Sequence, residues 1–141
     1  MNGNAYGTTK KSVEEARARG KNVILDVDTI GAMKIRALCP DATLIYILPP
    51  SWDELKSRLS STGIYTEEEV NALMEIAEEE ISCANSYDYI LVNDTISNTL
   101  SRFAQIIHSN RYSRNCMKEF LDSYIDGEVK PHVQSYKEAL L

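Results

Sequence analysis

Three short apolar runs stand out in an otherwise polar chain, and polar or charged residues follow two of them directly. They lie at 22–27, 43–48 and 89–92. Runs of this length that are rich in branched side chains are typical of strands buried on both faces, as in parallel sheets. The pattern therefore predicts three strands.

Stretches that suit helices lie between and after these runs. They are found at 10–19, 31–38, 51–60, 66–83, 99–109 and 117–124. Ser51 with Glu54, and Thr66 with Glu69, have the spacing of a capping box, in which each side chain bonds the other's backbone N–H. Strands that alternate with helices predict an α/β domain with a mainly parallel sheet.

The character of the chain changes near residue 109. The residues beyond it are polar and follow no sustained apolar period. We predict two parts: a domain at 1–109 and a C-terminal extension at 110–141.

Composition and charge argue against nucleic acid, membrane and metal as partners of this chain. The 141 residues carry 15 basic and 21 acidic side chains, a formal net charge of −6. This balance argues against a nucleic-acid partner, which needs a basic patch. No apolar run approaches the roughly 20 residues that cross a bilayer, so we expect no membrane partner. Three widely spaced cysteines favour a reducing compartment over disulfides and lack metal-ligand spacing. We expect a cytoplasmic protein without a metal site.

Polar residues follow the first and third predicted strands. Asp26 and Asp28 come at the end of the first, and Asn93 and Asp94 come after the third. Ligands of parallel α/β sheets bind beyond the carboxyl ends of the strands. Carboxylates there accept hydrogen bonds from amino groups or hold hydrated magnesium. They can equally cap the next helix, and the pattern alone leaves both interpretations open.

Four short motifs occur in a specific order along the chain. They are Tyr6-Gly7-Thr8, Leu25-Asp26-Val27-Asp28, Pro49-Pro50-Ser51 and Asn93-Asp94. Together they resemble guanylate kinase from about residue 4 to residue 107. The chain is similar, more narrowly, to the shortened guanylate kinase homologues encoded by some poxviruses, which would place it in the host cytoplasm.

The resemblance implies a GMP-binding role for four residues. Tyr6 matches the tyrosine that contacts the GMP phosphate, and Thr8 matches the hydroxyl residue at the guanine base. Asp26 and Asp28 match the acids near the base and the metal-linked phosphates. Hydroxyl groups suit a phosphate, and carboxylates accept the donors of guanine.

Two further residues match the ATP side and the lid of the family. Arg58 matches the first arginine of the lid, and Asn93 matches an asparagine near the adenine of ATP. The family uses ATP and Mg²⁺, which a P-loop of the form Gly-x-x-x-x-Gly-Lys-Ser/Thr cradles. This motif does not occur in the 141 residues. We therefore expect no cofactor.

The resemblance also implies a gap in the sheet. In the family the P-loop strand lies between the strands that match 23–27 and 43–48. We expect an incomplete P-loop-kinase-type parallel sheet flanked by helices, without the N-terminal P-loop strand. Unpaired strand edges promote association. The outcomes are a marginal fold, direct pairing of the two strands, or association with another chain, and we favour a marginal or self-associating domain.

The lid departs from the family pattern too. Thr62-Gly63-Ile64 stands where the family has Arg-Gly-Thr, and Leu73 stands at a second lid arginine. Leu73 shares helical spacing with Val70, Met74 and Ala77. A catalytic arginine at such a site is worth roughly 10³–10⁵ in rate. We therefore predict no catalytic residues and no guanylate kinase activity.

Three functions stay open on the sequence. The first is an inactive guanylate-kinase-like remnant. The second is an interaction module that binds a protein partner at the former GMP site. The third is a weak GMP binder, or a half-enzyme completed by another chain that supplies the P-loop.

Overall fold

A computed structural model describes residues 9–127. The elements in this part of the chain are α1 (Lys10–Ala18), α2 (Thr29–Leu38), β1 (Ile45–Leu48), α3 (Trp52–Ser61), α4 (Glu67–Ile81), a 3-10 helix (Ser82–Ser86), β2 (Tyr89–Val92), α5 (Ile96–Asn110) and α6 (Lys118–Ile125). The α/β class predicted from the sequence is confirmed.

The two strands form one parallel sheet. Ile45 lies opposite Tyr89, and Leu48 lies opposite Val92. Parallel neighbours need a crossover connection, which α3, α4 and the 3-10 helix supply. α3 packs against α4, and α5 packs against β2. The result is a small parallel sheet flanked by helices.

The strand predicted at 22–27 is wrong. Residues 21–28 form no helix or strand and connect α1 to α2. Ile24 has 68% of its surface exposed, although its run was predicted to be buried on both faces. A strand exists only where a neighbour pairs with it, and β1 pairs with β2 instead. Direct pairing of 23–27 with 43–48 is therefore not found in residues 9–127.

Capping explains where the helices begin. The predicted capping box of α4 is confirmed: Thr66 Oγ1 accepts from Glu69 N at 3.3 Å, and Glu69 Oε2 accepts from Thr66 N at 2.8 Å. At α3 only half of the box forms. Ser51 Oγ accepts from Glu54 N at 3.1 Å, but the Glu54 carboxylate accepts from Arg58 instead. The reciprocal bond predicted there is wrong, because a charged donor one turn along attracts the carboxylate more strongly.

The buried core of residues 9–127 is small. Its apolar members with the least exposure are Ala32, Leu44, Val70, Ala84 and Leu91. Many large apolar side chains instead stay at the surface, among them Ile24, Ile30, Ile47, Ile90 and Ile96. Burial of apolar surface is the main force that drives folding. The expectation of marginal stability stays a prediction.

An arginine and an aspartate tie α2 to the starts of both strands. Asp88 Oδ2 accepts from Arg36 Nη2 at 2.6 Å and from the backbone N–H of Leu44 at 2.7 Å. Arg36 Nη1 donates to the carbonyls of Ala42 at 2.9 Å and Pro40 at 3.1 Å. One ion pair thus joins the ends of three elements.

None of the helices in residues 9–127 combines the length and the apolar character that a membrane span requires.

Replacing Asp88 should destabilise the fold. We expect Asp88→Ala to lower the free energy of unfolding by about 1 kcal/mol, because it removes two charge-assisted hydrogen bonds at a partly exposed site. Thermal and urea unfolding measure the change. Asp41→Ala is the control, because the exposed Asp41 side chain makes no hydrogen bond or ion pair in the structure described. Equal stability of the two variants would contradict the role of Asp88.

Candidate functional site

Asn93 connects the carboxyl ends of both strands to α5. Its backbone N–H donates to the carbonyl of Leu48 at 2.7 Å, which extends the β1–β2 ladder by one bond. Its side-chain Oδ1 accepts from Thr99 Oγ1 at 3.1 Å. The amide side chain is therefore held by a helix that begins three residues later.

Asp94 is the most strongly bonded carboxylate of this edge. Its Oδ1 accepts from the backbone N–H of Thr95 at 2.6 Å. Its Oδ2 accepts from Arg102 Nη2 at 3.1 Å and from Asn98 Nδ2 at 3.3 Å. The Thr95 N–H chiefly holds the pKa of Asp94 below its ordinary value; partial loss of water opposes this shift, and Arg102 and Asn98 reinforce it.

Arg58 reaches the same edge from α3. Its Nε donates to Glu54 Oε1 at 2.8 Å, and its Nη2 donates to the backbone carbonyl of Asp94 at 3.3 Å. The third nitrogen, Nη1, makes no hydrogen bond with residues 9–127. The structure therefore brings Arg58 and Asn93, two of the predicted residues, to one place. A guanidinium with a free N–H can still bind an anion there.

The Asp28 side chain caps the N-terminus of α2. It precedes α2, and its Oδ1 accepts from the backbone N–H of Gly31 at 2.6 Å. A Cβ added at Gly31 would lie only 2.9 Å from that oxygen and 3.1 Å from Val27 Cβ. Glycine at this position therefore lets the carboxylate approach the helix closely. One carboxylate oxygen of Asp28 is used in this way.

Asp28 lies on the side of the molecule where two tyrosines meet. The rings of Tyr46 and Tyr87 pack edge to face, with centroids 5.0 Å apart. Burial raises the pKa of the Tyr87 hydroxyl, and neighbouring negative groups, Asp28 among them, reinforce the shift. Next to Asp28, Thr29 Oγ1 donates to Glu80 Oε1 at 3.2 Å. The Thr29–Glu80 bond places the start of α2 beside α4.

Asp26 lies in the connection between α1 and α2. It is exposed, and it makes no hydrogen bond or ion pair with the described residues. Tyr6 and Thr8, the other two residues assigned to GMP, lie outside residues 9–127.

The predicted residues therefore fall into two groups. Arg58 bonds the backbone of Asp94, the residue next to Asn93 at the carboxyl ends of the strands, whereas Asp26 and Asp28 make no bond with Arg58 or Asn93 in the structure described. The physical reason is the missing strand at 22–27. Because that segment does not belong to the sheet, the rule on carboxyl ends does not apply to it.

The segment predicted to match the family's lid, from the end of α3 into α4, is built from apolar and hydroxyl residues where the family has arginines. Gly63 has φ of +66° and follows α3, in the left-handed region that favours glycine. Thr62 Oγ1 donates to the carbonyl of Leu59 at 2.8 Å and accepts from Ile64 N at 3.2 Å. Leu73 is half-buried on the side of α4 that also carries the buried Val70. The predicted apolar face of this helix is confirmed.

Arg102 also belongs to this edge, although the sequence pattern did not single it out. It bonds both the Asp94 carboxylate and, through Nη1, the carbonyl of Val92 at 3.1 Å. A signal was present: Asp94, Asn98 and Arg102 recur every four residues and so share one side of a helix.

The pKa of Asp94 should depend on Arg102. We expect Arg102→Met to raise it toward the ordinary value of 3.8. NMR titration of the carboxyl carbon measures it. Because the folded pKa is the lower one, the Asp94 contacts stabilise the fold above pH 3.8, and this contribution is lost as the pH falls through the lowered value.

Arg58→Met serves as the control for this titration, because Arg58 bonds the Asp94 backbone carbonyl and not its carboxylate. It should move the pKa less than Arg102→Met does. A carboxyl titration that is the same with and without Arg102 would contradict the assigned ion pair.

Comparison with known proteins identifies the family. The family model described as guanylate kinase matches residues 1–110. The chain is 39% identical over 135 residues to the guanylate kinase of Clostridium acetobutylicum, covering 95% of this chain and 63% of that protein. It is 44% identical over 108 residues to that of Francisella tularensis, covering 76% and 57%. The chain thus spans about three-fifths of the length of these relatives.

These bacterial relatives do not test the narrower resemblance to poxvirus homologues, which stays a prediction. The division at residue 109 and the roles of the six candidate residues stay predictions as well. The match over 1–110 nevertheless covers most of the chain, including Tyr6, Thr8 and all four candidate residues that the structure describes. The chain belongs to the guanylate kinase family.

Proposed function

We propose that this 141-residue chain binds GMP through a guanylate-kinase-type site and does not by itself transfer phosphate from ATP. The observation that carries the proposal is an asymmetry in the sequence. The GMP-side motifs Tyr6-Gly7-Thr8 and Leu25-Asp26-Val27-Asp28 are present, whereas no P-loop motif occurs in the chain.

The ATP side lacks the groups that phosphate and Mg²⁺ require. A P-loop binds phosphate through consecutive backbone N–H groups and a lysine, and the chain contains no Gly-x-x-x-x-Gly-Lys-Ser/Thr. The residues present do not fit ATP with Mg²⁺, so we derive no transfer step.

The lid supports the same conclusion. Phosphoryl transfer depends on cations that stabilise the charge on the transferred group. Arg58 is bonded to Glu54 and to the carbonyl of Asp94, which leaves one guanidinium nitrogen for a ligand. Leu73 packs in the apolar face of α4 and carries no charge. Loss of one catalytic arginine lowers such a rate by roughly 10³–10⁵.

The GMP side retains a carboxylate that is ready for a ligand. Guanine presents N–H donors, and a carboxylate with both oxygens unoccupied can accept two of them. Asp26 is exposed and makes no bond with the described residues, whereas one oxygen of Asp28 is already bonded to Gly31. We therefore assign Asp26 the larger share of base recognition. Tyr6 and Thr8 complete the proposed site.

A coupled assay tests the absence of transfer. With GMP and ATP–Mg²⁺ we expect ADP release at the rate of the protein-free mixture, because neither a P-loop nor a second lid arginine is available to the transferred phosphoryl group. Turnover that rises in proportion to the concentration of the purified chain would overturn this part of the proposal.

Calorimetric titration tests the GMP site. We expect saturable binding of GMP, weaker binding of AMP, and about a tenfold loss of GMP affinity in Asp26→Asn, because a charge-assisted pair of hydrogen bonds is lost. Asp41→Asn removes the same charge at an exposed aspartate outside the proposed site and should bind GMP like the unaltered chain. If GMP does not bind saturably, or if Asp26→Asn and Asp41→Asn bind GMP with equal affinity, the proposed GMP site is wrong.

A further inference from the structure

The outer edge of β1 presents unpaired backbone groups. The carbonyl of Leu44 accepts from Tyr89 N at 3.2 Å, and that of Leu48 accepts from Asn93 N at 2.7 Å. Backbone groups of alternate residues point to opposite sides of a strand. Ile45 and Ile47 therefore direct their N–H and C=O groups away from β2, where no strand of residues 9–127 pairs with them.

The outer edge of β2 differs at one acceptor, the Val92 carbonyl, which a side chain of α5 covers. α5 packs against β2, and Arg102 Nη1 donates to the carbonyl of Val92 at 3.1 Å. A side chain thus occupies an edge-facing acceptor of β2, whereas the corresponding groups of Ile45 and Ile47 have no such cover in the part of the chain described. In the part of the chain described, the outer edge of β2 is thus covered at the Val92 carbonyl, and the outer edge of β1, here called the open edge, is uncovered at Ile45 and Ile47.

The open edge lacks the features that usually prevent strand association. Native edges carry lysines, prolines or bulges that block pairing. Residues 42–52 contain no charged side chain, although 26% of the whole chain is charged. Ile47 is 54% exposed beside this edge, and Pro49 only marks where the strand ends. Two copies can therefore approach here without bringing like charges together, despite a net charge of −6 each.

We infer that β1 pairs with β1 of a second copy of this chain, in antiparallel orientation about a twofold axis at Tyr46. In this register Ile45 lies opposite Ile47 of the partner subunit, and the reverse holds on the other side of the axis. Each of these two pairs exchanges both N–H···O bonds, which satisfies all the edge-facing groups of Ile45 and Ile47. The product is a four-stranded sheet.

The geometry favours a second copy because the edge is complementary to itself. Its two bonding residues stand two positions apart and are both isoleucine, so a twofold axis midway between them matches each with its equivalent. The Ile47 side chain, now half-exposed, would pack against Ile45 of the partner subunit. A twofold contact uses the same edge on both copies, so this pairing closes at a dimer.

Sedimentation of the full chain over a concentration series tests this inference. We expect a concentration-dependent dimer for the unaltered chain. Ile47→Lys introduces a charge at the edge, and Ile47→Pro removes an N–H that faces away from β2 and leaves the β1–β2 ladder intact. Each should raise the dimer dissociation constant at least about tenfold, with the helical circular dichroism unchanged.

Ile90→Lys is the matched control. Ile90 is the same residue type with the same 54% exposure, but it lies in β2, away from the open edge. It should dimerise like the unaltered chain. A chain that stays monomeric at every concentration, or dimers of equal strength in the Ile47 variants, would overturn the inference. If the chain stays monomeric, the open edge of β1 is available to a partner other than a second copy.

Disulfide trapping tests the register independently of stability. In a chain with Cys39, Cys83 and Cys116 replaced by serine, Tyr46→Cys should form a covalent dimer under mild oxidation. The two Tyr46 positions form a non-hydrogen-bonded pair with Cα atoms about 4.5 Å apart, which a disulfide can bridge. Ile90→Cys in the same background should stay monomeric on a non-reducing gel. Equal crosslinking of the two variants would contradict the register.

Discussion

The parallel pairing of β1 with β2 is the interaction on which the rest of the described structure depends. Two four-residue strands are brought together by a crossover through α3 and α4, and the last bond of their ladder joins Asn93 to Leu48. That bond lies two residues before Thr95, whose side chain caps α5. The residue between them, Asp94, accepts from Arg58 through its backbone carbonyl. The carboxyl edge exists as a site because this short ladder holds.

The same pairing explains what became of the segment 21–28. A run of branched apolar residues becomes a strand only when a neighbour satisfies its backbone groups. β1 uses one of its edges for β2, and no strand of residues 9–127 lies at its other edge. Asp26 and Asp28 consequently lie on a connection between helices, apart from Arg58 and Asn93. The open edge of β1 and the free Asp26 carboxylate thus follow from one cause.

What could be predicted from the sequence was mainly local. The capping box of Thr66 and Glu69, the limits of β2 and the apolar face of α4 depend on neighbours within a few residues, and all three were confirmed. The strand at 22–27 depends on a pairing partner far along the chain, which periodicity does not encode. The half-formed box at Ser51 depends on competition from Arg58 for the same carboxylate.

The candidate site was likewise predictable only in part: its residues could be named from the motifs, but which of them lie together could not. The family motifs led to Arg58 and Asn93, which the structure places at the same edge through the Arg58–Asp94 bond, but their separation from Asp26 follows from the tertiary arrangement. Hydrogen exchange of the backbone amides in dilute solution tests the central claim, a two-stranded sheet with an open β1 edge, most directly. Slow exchange at Tyr46 and Leu48, with fast exchange at Ile45 and Ile47, is the predicted result. Equal protection of all four amides at a concentration where the chain is monomeric would contradict it.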